Sequence, residues 1–180
     1  MHYELLDATS LQCDFVATTD RETVINLANH AYFNLGGPLA DHEFRAHLKN
    51  FTPFNDQLIP MGTIAPLSGS ELDFRQWRRL GDSLLDHNFV LRKNNKLQKA
   101  ASLRLRDTQL QLDVLTTQPA LQVYTGDGLT APFSARAGIC LEAQAFPDAP
   151  NQPSFPSIAV TPGRTYRQRT IYRFGELSDH

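Results

Sequence analysis

"SLRLRDTQLQLDVLTTQP", residues 102–119, shows the pattern from which the fold class is predicted. Leucine and arginine alternate over residues 103–106, and apolar and polar residues alternate again over residues 110–114. A period of two places successive side chains on opposite faces of a β-strand. Asp107 and Thr108 lie between the two runs and suit a turn. The stretch therefore predicts a β-hairpin with one apolar face and one solvated face.

The same alternation recurs along the chain in short runs that Gly, Pro, Asn and Asp separate. We predict further strands at residues 2–6, 10–18, 22–35, 86–92, 120–125, 137–146 and 164–174, and one helical turn near residues 76–85. The proline-containing segments 51–70 and 146–156 are typical of ordered loops. A chain of 180 residues is long enough for one domain. We therefore predict a single all-β domain over residues 1–180, a large antiparallel β-sandwich.

The composition argues against several classes of function. The 17 basic and 19 acidic side chains give a formal net charge of −2 without a block of like charge, so a nucleic-acid partner is not expected. Cys13 and Cys140 lie in apolar runs outside any cluster of metal ligands, and we predict two buried reduced thiols. The sequence shows neither a signal peptide nor a membrane span, which predicts a cytoplasmic protein without a membrane partner.

Residues 23–37, "TVINLANHAYFNLGG", carry polar side chains inside a run that otherwise predicts a buried strand. A period of two places His30 and Tyr32 on one face with small amides, and mainly apolar residues on the other face. This face is either the solvated side of a half-exposed strand or a surface that binds a ligand. Solvated faces normally use Lys, Glu and Thr, whereas this face uses His, Tyr and Asn.

A second polar position lies in "GICLEAQAF", residues 138–146, where Glu142 is the only charged side chain. Burial among apolar neighbours raises the pKa of a carboxyl group, which suits a general acid or base. The alternative interpretation is a structural carboxylate that pairs with one of the arginines.

Five segments in order along the chain resemble the galactose mutarotase (aldose 1-epimerase) family. The matching stretches are "NHAYFNLGG" (29–37), "DHNFVL" (86–91), "TTQPALQVYTGDGL" (116–129), "GICLEAQAFPDAPNQPSFPS" (138–157) and "TPGRTYRQRTIYRF" (161–174). The resemblance implies a large antiparallel β-sandwich of the galactose mutarotase type. It also implies an enzyme that interconverts the α and β anomers of galactose, glucose and related aldoses without a metal or an organic cofactor.

The resemblance further implies roles for individual residues. The histidine of the first motif falls on His30, as general acid toward the ring oxygen, and the glutamate of the CLExQ motif falls on Glu142, as general base toward the anomeric hydroxyl. We expect the two side chains to face a shared pocket, about the width of a pyranose ring apart.

The substrate-binding residues are expected in three of the same motifs. Asp86 and Gln122 are expected to bind sugar hydroxyls. Asn29 and Tyr32 of the first motif are placed with them, and an aromatic ring, that of Tyr32 or of Tyr124, is expected to pack on the C–H face of the sugar.

The chain matches only the C-terminal part of the longer family members. Those members supply a further histidine and an arginine from their N-terminal part, and His2, His42 and His47 match none of the family motifs. A sandwich that lacks its N-terminal strands would have unpaired edges. We therefore expect self-association or a partner chain that supplies the missing strands.

Two other functions are weighed against an active epimerase. The first is a truncated carbohydrate-binding remnant of the same fold with weak or no catalysis. The second is an epimerase for a phosphorylated hexose, with Arg75, Arg78 or Arg79 of "RQWRRL" (75–80) near the phosphate.

Overall fold

The structure is built around two antiparallel sheets. The computed structural model describes residues 1–91 and 96–177. The first sheet has seven strands, in the spatial order β1 (His2–Leu5), β2 (Ser10–Ala17), β15 (Tyr166–Glu176), β11 (Leu110–Thr116), β10 (Gln98–Leu105), β5 (Glu43–Ala46) and β8 (Arg78–Arg79).

The second sheet has six strands and positions most of the candidate site residues. Its spatial order is β4 (Tyr32–Phe33), β13 (Ile139–Gln144), β12 (Ala120–Tyr124), β9 (Asp86–Val90), β6 (Asn50–Thr52) and β7 (Ala65–Pro66). A separate two-stranded ribbon pairs β3 (Thr23–Val24) with β14 (Ala159–Val160). Short 3-10 turns occur at Leu39–Asp41 and Ala149–Asn151.

The hairpin predicted from residues 102–119 is confirmed as β10 and β11. Leu103 pairs with Leu112 in the antiparallel register, and residues 106–109 form the turn. Gln109 has a φ of 58° in this turn, in the left-handed region. Leu103, Leu105 and Leu112 are buried, whereas Leu110 next to the turn is exposed. Arg104 of the opposite face pairs with Glu43.

The hydrophobic core lies between the two sheets. The core cluster joins Phe44, Leu103 and Leu112 of the first sheet to Leu121 and Leu141 of the second. Burial of each such side chain contributes roughly 1.5–3 kcal/mol. The Gln168 side-chain amide of β15 also donates a hydrogen bond of 2.6 Å to the Ala143 carbonyl of β13, so a polar contact joins the sheets as well.

Most predicted strands are confirmed with small shifts of their ends. Residue 92, the end of the predicted strand 86–92, lies outside the described residues. The helical turn expected near residues 76–85 is wrong, because Arg78 and Arg79 pair with β5 as the short edge strand β8. The predicted all-β sandwich is confirmed, while its extent as one domain over residues 1–180 stays a prediction.

The continuous strand predicted at residues 22–35 is also wrong. Only β3 and β4 form there, and residues 25–31 are irregular. The reason is that amide side chains take the place of a backbone ladder in this segment. Asn26 accepts a hydrogen bond from the Ala145 backbone N–H at 2.8 Å and donates one to the Ala145 carbonyl at 3.1 Å. Asn29 accepts from the Ala31 N–H. Asx contacts of this kind offer the chain an alternative to strand pairing.

Both predicted thiols are free and buried. Within residues 1–91 and 96–177, no helix is long and apolar enough to cross a membrane.

Candidate active site

The register of the second sheet aligns a row of polar side chains across its strands. Glu142 of β13 lies opposite Gln122 of β12, and Gln122 lies opposite Asn88 of β9. Asn88 in turn lies opposite Thr52 of β6 and donates a hydrogen bond to its hydroxyl at 3.1 Å. Directly opposed residues share one face of a sheet, so these four side chains form a polar strip.

A second row lies two residues along the same face. Tyr32 of β4 is opposite Cys140 of β13, Cys140 is opposite Tyr124 of β12, and Tyr124 is opposite Asp86 of β9. Positions two residues apart on a strand share a face, so this row is continuous with the first one. The structure therefore brings Tyr32, Asp86, Gln122 and Glu142 together, although they lie on four separate strands of the chain.

His30 reaches the same face from the irregular segment before β4. Its Nε2 lies 3.6 Å from Oε1 of Glu142, with side-chain exposures of 56% for the imidazole and 10% for the carboxylate. The carboxylate partner is therefore this histidine, and the alternative of a structural pairing with an arginine is not what the structure shows. The two groups are also in contact, and the separation of a pyranose width is wrong.

Burial is the main influence on the Glu142 carboxyl group. Burial raises the pKa of Glu142 above its usual 4.5, the nearby His30 lowers it, and the negative charge of Asp86 raises it. The net direction is upward, as the sequence predicted, because a carboxylate that is removed from water and lies near a second carboxylate is less stable in its charged form. A raised pKa makes this group a stronger base than an ordinary glutamate.

Asp86 and Gln122 form a directed pair beside Glu142. The Gln122 Nε2 donates to Oδ1 of Asp86 at 2.6 Å. A carboxylate only accepts, which fixes the orientation of the amide and turns the Gln122 Oε1 away from Asp86. Among the described residues, neither the Gln122 Oε1 nor the buried Asn88 Oδ1 has a hydrogen-bond partner. A buried acceptor without a donor costs about 1–3 kcal/mol, so a hydroxyl group that donates here would relieve that cost.

A small cavity lies beside Asn88 and Gln122. Its volume is about 60 Å³, and Asp86, Asn88, Gln122 and Thr52 line it together with apolar side chains of two loops. Since a water molecule occupies about 30 Å³ of liquid, the cavity takes one or two hydroxyl groups rather than a whole sugar. The remainder of the site is therefore an open face of the sheet.

Aromatic rings line the side of this face next to His30. The Tyr32 ring lies 5.4 Å from the His30 ring and 6.3 Å from the Tyr124 ring. Tyr32 is 41% exposed, and it offers a flat apolar surface to a bound molecule. Asn29 differs, because its amide donates to the Tyr3 hydroxyl at 2.7 Å and accepts from Ala31, so both of its polar atoms bond within the protein.

Sequence reasoning missed three residues of this site: Cys140, Asn88 and Thr52. Cys140 and Asn88 lie within recognised motifs, and the period of two places Cys140 on the same face as Glu142. That signal was present in the sequence for the cysteine. The partner of Asn88 left no such signal, because Thr52 is 36 residues away in the sequence.

One group of side chains here could hold a metal ion. A nitrogen of His30, the sulfur of Cys140 and a carboxylate oxygen of Glu142 all lie within 4.8 Å of one another. Nitrogen, sulfur and oxygen ligands are all used by zinc. The sequence-based expectation of no metal stays a prediction.

Two other features lie apart from this cluster. A cavity of about 680 Å³ lies beside β2 and β15, where Phe15, Ile158 and Val160 line it and the charged Asp14 and Arg169 bond each other. The three arginines of residues 75–80 lie in or beside the first sheet, where Arg75 bonds both carboxylate oxygens of Asp73. That placement gives no support to a phosphate site next to Glu142.

Comparison with known proteins gives consistent matches. The family model for aldose 1-epimerase matches residues 1–173. A galactose mutarotase from Sus scrofa is 36% identical over 188 residues, covering 94% of this chain and 55% of that protein. An aldose 1-epimerase from Escherichia coli K12 is 31% identical, covering 97% of this chain and 57% of that protein.

Solved structures give a similar result for the fold. An aldose epimerase homologue from C. elegans superposes with a TM-score of 0.90 at 25% identity, over 98% of this chain and 59% of that one. A galactose 1-epimerase from Lactobacillus acidophilus gives 0.85 at 28% identity, over 98% and 56%. The chain thus spans about half the length of the curated relatives that it matches.

Proposed function

We infer, since this chain belongs to the aldose 1-epimerase family, that it interconverts the α and β anomers of an aldose on the polar face of its second sheet. The observation that carries the proposal is the contact of 3.6 Å between His30 and the largely buried Glu142. Ring opening needs a base at the anomeric hydroxyl and an acid at the ring oxygen. Both oxygens are bonded to the same carbon, so an acid and a base that nearly touch are well spaced for the reaction.

The proposed reaction is an isomerisation in which the protein takes one proton from the sugar and gives one proton back to it. Glu142, as the carboxylate, takes the proton of the anomeric hydroxyl, while His30, as the protonated imidazole, gives its Nε2 proton to the ring oxygen and becomes neutral. The bond between C1 and the ring oxygen breaks, and C1 becomes the carbonyl carbon of an open-chain aldehyde. Rotation about the C1–C2 bond presents the other carbonyl face. The steps then run in reverse, which restores both side chains and yields the other anomer.

The neighbouring residues are assigned to sugar binding. Asp86 accepts hydrogen bonds from hydroxyl groups, and the partnerless oxygen of Gln122 accepts another. Tyr32 packs its ring on the C–H face of the sugar, next to His30. Asn29 acts indirectly in this proposal, because its hydrogen bonds hold the backbone beside His30.

The identity of the sugar and its setting are also part of the proposal. We propose galactose and glucose as substrates, because the family resemblance in the sequence implies them, and hexose metabolism in the cytoplasm as the setting. The proposed reaction uses only side chains of this chain and takes no cofactor.

The decisive experiment compares the wild-type chain with Glu142→Gln. The purified protein is added to freshly dissolved α-D-galactose, and the optical rotation is followed against buffer. The wild type is expected to accelerate the change, and Glu142→Gln is expected to lose that acceleration by about 10²–10⁴-fold because the amide cannot take a proton. Glu22→Gln, which changes an exposed glutamate, is the matched control and should keep the wild-type rate.

The proposal fails if the folded wild type does not exceed buffer with any aldose, or if Glu142→Gln is as fast as the wild type. A second candidate function then applies, a carbohydrate-binding protein with little or no turnover. The partnerless oxygens of Gln122 and Asn88 favour this alternative, because they suit hydroxyl donors without taking part in proton transfer. Titration calorimetry with galactose separates the two, because the second candidate binds the sugar without accelerating its mutarotation.

A further inference from the structure

The sulfur of Cys140 contacts the ring nitrogen of His30 that faces away from Glu142. The Cys140 Sγ lies 3.3 Å from the His30 Nδ1, while the His30 Nε2 faces Glu142. Which nitrogen of a histidine carries the proton is set by the hydrogen bond that the other nitrogen makes. The contact with Cys140 is therefore placed to control the tautomer of His30.

Cys140 lies within a strand of the second sheet, whereas His30 lies outside any strand. Cys140 is fully buried in β13 and lies opposite both Tyr32 and Tyr124 in the sheet. His30 lies in the irregular segment, and its side chain is 56% exposed. An exposed imidazole outside a strand gains a defined orientation from a hydrogen bond to a residue within a sheet, so the sulfur also fixes the direction in which Nε2 points.

The thiol is suited to accept rather than to react. Burial, with the nearby charge of Glu142 as the second cause, raises the pKa of Cys140 to about 12. The group therefore stays a neutral thiol, which is unreactive as a nucleophile but keeps sulfur lone pairs for an N–H donor. Tyr32 lies directly opposite Cys140 in the register of the sheet.

We propose that Cys140 is a positioning residue that accepts a hydrogen bond from the His30 Nδ1–H and so confines the mobile proton to Nε2. This inference rests on the proposed epimerase function. An acid that gives its proton from Nε2 must afterwards be a neutral imidazole with its proton on Nδ1, because only then can Nε2 take the proton back. Without the sulfur, the neutral ring divides between the two tautomers, and the Nε2–H form cannot take a proton from the sugar.

Because the Cys140 thiol is neutral, it also affects how readily His30 gives up its proton. A carboxylate at the same place would favour the charged imidazolium and so weaken it as an acid. A thiol orients the ring without adding a negative charge. The structure thus combines a charged partner at Nε2, where the proton moves, with a neutral partner at Nδ1, where the proton stays.

The test uses two substitutions that separate hydrogen bonding from packing. Cys140→Ser keeps an acceptor at this position, whereas Cys140→Val fills the space with an apolar side chain. We expect Cys140→Val to lower kcat about tenfold with little change in KM, the effect of one lost hydrogen bond. Cys140→Ser should recover most of that loss. Cys13→Val, at the other fully buried thiol, should keep the kcat of the wild type.

Nitrogen NMR of ¹⁵N-histidine-labelled protein gives a readout that does not depend on turnover. The His30 signals are those that disappear in His30→Asn. The neutral His30 ring is expected as the Nδ1–H tautomer in the wild type and in Cys140→Ser, and as a mixture in Cys140→Val. Cys140→Ala replaces Cys140→Val in both measurements if the valine variant does not fold.

The kinetic and the NMR measurements together distinguish a failure of this inference from a failure of the proposed function. An Nε2–H tautomer in the wild type overturns the inference, and so does an unchanged tautomer in Cys140→Val. Equal kcat values for Cys140→Ser and Cys140→Val overturn it as well. A wild type without activity on any aldose refutes the proposed function, while the NMR measurement still decides the role of Cys140 in setting the tautomer.

Discussion

Glu142 is the residue on which the chemistry of the site depends. It is buried in the centre of a strand, it contacts an imidazole, and it shares its sheet face with a second carboxylate. Burial is costly for a charged group unless something compensates for the lost water. At an active site that cost has a function, because the same burial makes the carboxylate a better base.

The raised pKa of Glu142 predicts the pH dependence of the reaction. The base works only when ionised, so kcat/KM should fall on acidification, with a midpoint above the usual 4.5 of a glutamate. The Asp86 charge is one cause of the increase, so Asp86→Asn should move the midpoint to lower pH, whatever its effect on the rate. A polarimetric pH profile from pH 4 to 8 measures both midpoints. A wild-type midpoint at or below 4.5 would contradict this account.

At the scale of elements, the strands were predictable wherever one face is buried and the other is not. The alternation of residues 103–106 and 110–114 predicted β10 and β11, because a two-residue period matches the pleat of a strand and not the turn of a helix. Residues 25–31 show the limit of that reasoning. They alternate only in part, and Asn26 bonds the Ala145 backbone through its side chain. A partner 119 residues away cannot be seen in the local sequence.

His42 makes another contact between elements that the sequence did not reveal. Its fully buried ring joins the segment after β4 to the 3-10 turn, since Nε2 accepts from the Leu35 N–H at 2.9 Å and Nδ1 lies 3.0 Å from the Pro38 carbonyl. The carbonyl can only accept, so Nδ1 carries the proton and the ring is neutral. Burial lowers the pKa of His42 below 6.5.

This lowered pKa predicts a loss of stability in acid. The unfolded chain takes up a proton at the ordinary histidine value of about 6.5, whereas the folded protein does so only at lower pH. The free energy of unfolding should therefore fall as the pH decreases below about 6.5. The amide in His42→Gln does not titrate, so urea unfolding between pH 7.5 and 5 should show a smaller decrease for this variant. His2→Gln, at an exposed histidine, should follow the wild type, and parallel curves for His42→Gln and the wild type would refute the prediction.

At the scale of the whole molecule, the site results from the register between distant strands. The motifs indicated that His30, Asp86, Gln122 and Glu142 matter, because the family resemblance assigns each of them a role. They did not show that Glu142 touches His30, that an oxygen of Gln122 lacks a donor, or that Cys140 contacts the imidazole. Those contacts depend on how the strands align and on the path of an irregular segment, and neither is set by residues close in sequence.

The exposed edge strand β1 of the first sheet predicts self-association of the protein. All four residues of β1 are exposed, and Leu5 is 74% exposed. Within the described part of the chain, β1 pairs with β2 alone, and an unpaired apolar edge favours association with another strand. Sedimentation velocity should show association that increases with concentration, and Leu5→Lys should reduce it. Leu84→Lys adds the same charge to an exposed loop leucine and should not. A wild type that stays monomeric at every concentration would contradict the prediction.

The central claim is that His30 and Glu142 act as one acid–base unit. The most direct measurement is kcat/KM for galactose mutarotation in the wild type, His30→Asn, Glu142→Gln and the double variant. Groups that act as a unit are strongly non-additive. We predict that each single substitution costs about 10²–10⁴-fold and that the double variant is scarcely slower than the slower single one. Losses that multiply in the double variant, or a single variant with the wild-type rate, would contradict the claim.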